Sequence, residues 1–195
     1  AGVNDLTSLG EYDAFIQKLD SNGNLIWANS FGGSSQDSGN SMSFDASGNL
    51  YVLGSFEDTV DFDTGTGVVD IEADYWDVFI KKFNPDGNLI WVESFGGPDV
   101  DFGLAIAISS AGDIHITGGF RDTINFNLFG GLANITENGN GDIFVLKINQ
   151  PTLGINEPIV SEVGSVYPNP SYDLTFLKLD VELVNVQLSL FDASG

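Results

Sequence analysis

DAFIQKLDSNGNLIWANSFGG, residues 13–33, returns as DVFIKKFNPDGNLIWVESFGG at residues 77–97, 64 residues further along. A third start, DIFVLKIN, opens at Asp142, 65 residues after the second. A period this long marks one supersecondary unit stacked beside copies of itself, so architecture is settled before any single residue is weighed. Four strand-like runs are expected in each full period. They are residues 14–19, 24–31, 40–45 and 50–56 in one copy, and 78–83, 88–95, 104–109 and 114–120 in the next.

The punctuation agrees with those runs. Asp20-Ser21-Asn22-Gly23 and Asn84-Pro85-Asp86-Gly87 read as tight turns, with proline presetting φ and glycine accepting positive φ. Gly32-Gly33 and Gly96-Gly97 release the chain into a loop, and Gly48 and Gly112 mark a second turn. After each fourth run comes an insert, EDTVDFDTGTGVVDIEADYW or RDTINFNLFGGLANITENGNG, with two alternating segments that suggest a projecting hairpin. No segment sustains a 3.6-residue period, so no α-helix longer than two turns is expected.

Four antiparallel strands per repeat, with aromatics at fixed register, describe the blade of a β-propeller. The expected fold is therefore all-β: a partial propeller of four-stranded blades, then the start of a small β-sandwich. The chain resembles the bacterial SBBP β-propeller repeat over residues 13–149. The first copy carries that signature at Asp13, Phe15, Lys18, Gly23, Trp27, Gly32, Gly33, Ser47, Gly48, Tyr51 and Gly54. The second carries it at Asp77, Phe79, Lys82, Gly87, Trp91, Gly96, Gly97, Gly112 and Gly118, departing at Ala111 and His115. A β-solenoid or open array of the same repeat is the rival architecture.

The third start lacks the Trp-bearing outer strand after Asn149, and an N-terminal strand from elsewhere is expected to fill that place. About two and a half blades are present where a ring needs at least four, so a fragment with uncovered apolar faces is expected. Residues 150–165 read as a linker. Residues 166–195 open with Val166-Tyr167-Pro168-Asn169-Pro170, followed by alternating runs at 174–181 and 186–191. This segment resembles the opening of the type A C-terminal sorting domain of the type IX secretion system of Bacteroidetes, with Tyr167, Pro168, Asn169 and Pro170 as its motif. That resemblance implies export by the type IX machinery, so the protein is expected to be secreted or held at the cell surface. No signal peptide is visible from Ala1 onward.

Composition narrows the partners. The chain has 6 Lys+Arg against 28 Asp+Glu, a net charge of −22, which repels phosphate backbones and anionic membranes. No run approaches the roughly 20 apolar residues of a membrane span. The absence of cysteine excludes disulfides, thiol nucleophiles and thiolate metal sites. Hydrophobic residues at 42%, with 15 Phe and 3 Trp, are ample for a packed core.

Candidate chemistry is thin. Asp13, Asp77 and Asp142 recur at one register, as do Asp37 with Asp101 and Asp58 with Asp122, which suits aspartates capping strand-end turns. Residues 20–24 superficially suggest a calcium loop but lack the ligand pattern of an EF-hand. In the first insert Asp61 and Asp63 share a strand face close enough to share Ca²⁺, although Asn125 and Asn127 stand at the matching positions of the second. His115 replaces a tyrosine within a strand, which suits a structural histidine. Trp27 and Trp91 repeat and read as inter-blade packing, whereas Trp76 does not repeat and is the candidate for an exposed contact. No catalytic constellation and no cofactor site emerges. Three roles remain open: an exported binding or adhesion module with a protein or glycan ligand, an accessory propeller of a larger secreted enzyme, and a structural surface-layer component.

Overall fold

The computed structural model describes residues 5–63, 65–126, 128, 134–149 and 161–164. Every element among them is a β-strand. β1 (Ala14–Leu19) and β2 (Leu25–Phe31) form a two-stranded sheet. β3 (Asp37–Phe44), β4 (Leu50–Asp61), β5 (Asp70–Phe83) and β6 (Leu89–Phe95) form an antiparallel meander in that spatial order. β7 (Phe102–Ile108) and β8 (Ile114–Phe120) begin a third sheet. β9 (Thr123–Asn125) pairs with β10 (Asn134–Thr136), then β11 (Asp142–Ile148) and β12 (Ser161–Gly164) complete the third sheet in the order β12-β11-β8-β7.

One device closes four of the hairpin turns. The Asp20 carboxylate accepts the Asn22 and Asn24 amides at 2.8 Å, Asp45 accepts those of Ser47 and Asn49, and Asn84 those of Asp86 and Asn88. At the fourth turn the Ser109 hydroxyl accepts the Asp113 amide. The glycine one residue before the last of these acceptor contacts has φ between 80° and 91° in all four, a backbone that a side chain resists. Irregularities repeat as faithfully as strands. The pairing shifts between Lys18 and Leu19 and again between Lys82 and Phe83, and between Gly39 and Ser41 and again between Gly103 and Ala105. Bulges kept at matching positions belong to the repeat unit itself.

The middle sheet is buried on both faces. Phe79 and Phe83 point toward the first sheet with Leu50 and Val52, while Val78 and Ile80 point toward the third with Tyr51 and Leu53. Two inter-sheet cores result, each nucleated by the same phenylalanine triad. Phe31, Phe62 and Phe79 lie 5.1–6.1 Å apart between ring centroids. Their counterparts Phe95, Phe126 and Phe144 lie 5.2–5.6 Å apart. Gly54 and Gly118 make the triads fit: a Cβ there would meet the Phe79 or Phe144 ring at 2.5 and 2.4 Å. Trp27 sits within the first interface, stacked 6.4 Å from Phe83 with its indole N–H donating to the Pro85 carbonyl. Trp91 is packed against the second core. Both therefore pack between sheets.

Three expectations needed correction. The first insert prolongs the sheet, because β4 passes a bulge at Asp58, whose φ of 60° is left-handed, and pairs onward through Asp61 with Asp70. The second insert, after the matching Asp122 (φ 57°), does form the expected separate hairpin, β9–β10. Residues 150–165 are not wholly linker, since β12 pairs with β11 and takes the outer edge expected for an N-terminal strand. An open strand edge demands a partner, and the nearby downstream chain supplies one.

Candidate functional site

In the first insert the candidate acids bond their own hairpin's backbone. Asp61 Oδ1 accepts the Asp63 and Val69 amides at 2.9 Å, and Asp63 Oδ1 accepts the Gly65 amide at 2.7 Å. Both carboxylates are occupied in shaping the hairpin tip. Among the described residues no three or more His, Cys, Asp or Glu gather as a metal-binding group. Asp20 is likewise spent, its second oxygen accepting the Asn24 side-chain amide. Trp76 is half-buried rather than exposed: its ring lies 6.1 Å from Phe102 and its carbonyl accepts the Asp101 amide. His115 is half-buried in β8, opposite Lys147. Tyr167, Pro168, Asn169 and Pro170 lie outside the described residues.

Two pairs of carboxylates meet where the sequence placed isolated turn caps. The loop after Gly32-Gly33 returns Asp37 beside Asp13, because the Asp37 amide donates to the Tyr12 carbonyl. The loop after Gly96-Gly97 returns Asp101 beside Asp77 through the matching bond to Trp76. Each pair converges on a glycine. A Cβ on Gly32 would meet Asp13 Oδ1 at 2.6 Å and Asp37 Oδ2 at 2.8 Å. One on Gly96 would meet Asp77 Oδ1 at 2.1 Å and Asp101 Oδ2 at 3.0 Å.

These acids are costly to keep ionised. Asp37 is 4% exposed and Asp101 is fully buried. Burial pushes Asp37 up to about 6, opposed by the Gly33 and Glu57 amides and reinforced by the Asp13 charge. Burial also pushes Asp77 up to about 7, with help from Asp74. Asp101 rises to about 8, from burial against the pull of the Gly97 amide and with the Asp77 charge beside it. The Gly33 amide closes a 2.7 Å bond to Asp37 Oδ2, but the amides near Asp101 do not complete one. Oδ1 of Asp13, Asp37 and Asp77 and both oxygens of Asp101 are buried without a hydrogen-bond partner.

A second unpaired charge lies in the first inter-sheet core. Lys81 is fully buried, its ammonium making no hydrogen bond and sitting 4.4, 4.9 and 5.6 Å from the ring centroids of Phe31, Phe83 and Phe62. Burial pulls it down to about 7, and the negative charges of Asp63 and Asp61 pull it part of the way back. The matching residue of the third copy is Leu146, buried in the second core. The acidic insert thus contributes a field to a buried cation, a role its sequence did not suggest. Trp27 lies against Phe83 and against Gly87, where a Cβ would sit 2.7 Å from the indole.

Antiparallel sheets, a repeated register and two equivalent inter-sheet cores define an all-β repeat protein, an arrangement compatible with a partial propeller. Sequence comparison agrees at that level. The chain is 26% identical over 114 residues to an uncharacterized WD repeat-containing protein of Acanthamoeba polyphaga mimivirus, a match covering 51% of this chain and 8% of the relative's length. That weak similarity points to a β-propeller-like repeat protein. No family model matches the chain.

Proposed function

We propose that this chain is a section of an exported β-propeller that serves as a non-catalytic binding or adhesion module, each four-stranded sheet being a blade. One observation carries the reading: the framework is constant while the inserts are not. The phenylalanine triads, bulges and hairpin turns recur at matching positions, so the units stack through equivalent contacts. Apart from the triad members Phe62 and Phe126, the inserts share neither charge nor layout, and the first exposes Val68 and Tyr75. Variable, solvent-facing segments on a rigid repeat are where recognition residues reside. Phe15, Met42 and Phe44 are exposed, whereas their counterparts Phe79 and Ile106 are buried and Ile108 packs against the second core, as stacking of like units would require.

Export is supported by the Val166–Pro170 motif, with the type IX machinery as partner. Binding of the full-length protein to glycan and cell-surface protein arrays tests the module. Exchanging residues 57–76 for 121–141, which keeps a phenylalanine at the triad position, should transfer or abolish the signal, and binding that survives replacement of the exposed residues of both inserts refutes the reading. Replacing Tyr167–Pro170 with alanines should leave the protein inside the producing cell. Undiminished extracellular protein would remove the export arm alone.

A further inference from the structure

We propose that the pairs Asp13–Asp37 and Asp77–Asp101 are binding sites for a hard divalent cation of the Ca²⁺ type, one at each glycine pair that ends an outer strand. Three observations carry this. First, Asp37 and Asp101 are more than nine-tenths buried, and both oxygens of Asp101 and Oδ1 of Asp37 have no hydrogen-bond partner. Buried carboxylates without partners are rare because the desolvation they suffer must be offset by a hydrogen bond, a proton or a cation. Second, no basic residue answers them. The ion pairs among the described residues are Lys82–Asp45 and Lys147–Asp113, and the charges that act on these pairs come from Asp74, Asp99 and Glu57. Third, the arrangement is built twice from separate segments, each time around a glycine whose missing side chain lets both carboxylates in.

Hard oxygen donors and excess negative charge select Ca²⁺ or a similar ion over a thiophilic metal. Two carboxylates supply at most four of the 6–8 oxygens Ca²⁺ takes, and main-chain carbonyls and water complete the shell. Affinity therefore belongs with extracellular calcium modules, at a Kd on the order of 10⁻⁴–10⁻³ M.

The test is calorimetric titration of Ca²⁺ into the chelator-stripped full chain at pH 7.5. Saturable heat is expected, weakened at least tenfold at one class of sites by Asp77→Asn with Asp101→Asn. The pair Asp61→Asn with Asp63→Asn should leave it unchanged. No heat up to about 10 mM Ca²⁺, ten times the weakest expected Kd, overturns the proposal. So does heat that the first pair of substitutions leaves intact or the second abolishes. Should the Asp77/Asp101 variant not fold, Tb³⁺ provides the second reading. An ion held by Asp77 lies beside Trp76, so Ca²⁺-displaceable, indole-sensitised emission should fall in Trp76→Phe, and emission that does not fall overturns the site. A pair that only shares a proton would show neither heat nor emission.

Discussion

Replacing Lys81 with leucine should stabilise the protein, and the gain should depend on pH. Lys81 is an ammonium buried among Phe31, Phe62 and Phe83 with no hydrogen bond, at a position where the third copy has Leu146. Burial depresses its pKa from 10.5 to about 7. At 1.36 kcal/mol per pKa unit, keeping it charged costs at most about 5 kcal/mol. Contacts with the aromatic faces return about 2 kcal/mol of that in a desolvated setting. Lys81→Leu, which also adds apolar burial, is therefore expected to gain about 3 kcal/mol at pH 6. The folded-state pKa lies below the unfolded one, so the penalty is complete below about 7 and fades as the pH climbs toward 10.5. Urea unfolding followed by tryptophan fluorescence at pH 6, 8 and 10 measures this. A variant no more stable than the parent at pH 6, or a gain that does not shrink by pH 10, would refute the reasoning.

Other outcomes follow from the same contacts. Gly118→Ala puts a Cβ 2.0 Å from the Phe102 carbonyl and 2.4 Å from the Phe144 ring, so a loss of about 3 kcal/mol is expected by thermal melting; a loss under about 0.5 kcal/mol would mean the triad is looser than described. Phe79→Ala should cost about 3–5 kcal/mol, as for a buried aromatic. Phe15→Ala, whose side chain is 68% exposed, should stay within about 0.5 kcal/mol in the chain alone. Equal losses would show that Phe15 is covered. In chelator, Asp37, Asp77 and Asp101 have folded pKa values raised above 3.8, so their contribution is complete below about 4 and is lost as pH rises through 6–8. Melting temperatures flat or rising from pH 5 to 8 would contradict this, and Asp77→Asn with Asp101→Asn should remove most of the decline.

The repeat was legible because identical spacing repeats identical hydrogen bonds. Asp20 and Asn84 announce the same turn, and Trp27 and Trp91 the same inter-sheet place. What stayed hidden depends on distance in sequence. Asp13 and Asp37 each read as a cap, and only the fold of the glycine loop shows that they face one another. Nothing in the sequence marked Lys81 as buried, because the middle sheet is covered on both faces, which erases the alternation that marks a surface. Trp76 looked free because it does not repeat, but it is half-buried, with its ring 6.1 Å from that of Phe102. The first insert looked like a separate hairpin because nothing local shows that Asp58 lets β4 run on to Asp61.

Stacking of equivalent sheets through equivalent triads is the centre of this account, and ring-to-ring NOEs in a sample protonated only at phenylalanine report it directly. Cross-peaks should join Phe31 with Phe79 and Phe62 with Phe79, and separately Phe95 with Phe144 and Phe126 with Phe144, at centroid separations of 5.1–5.6 Å. Absence of those peaks, or cross-peaks linking one triad to the other, would contradict it.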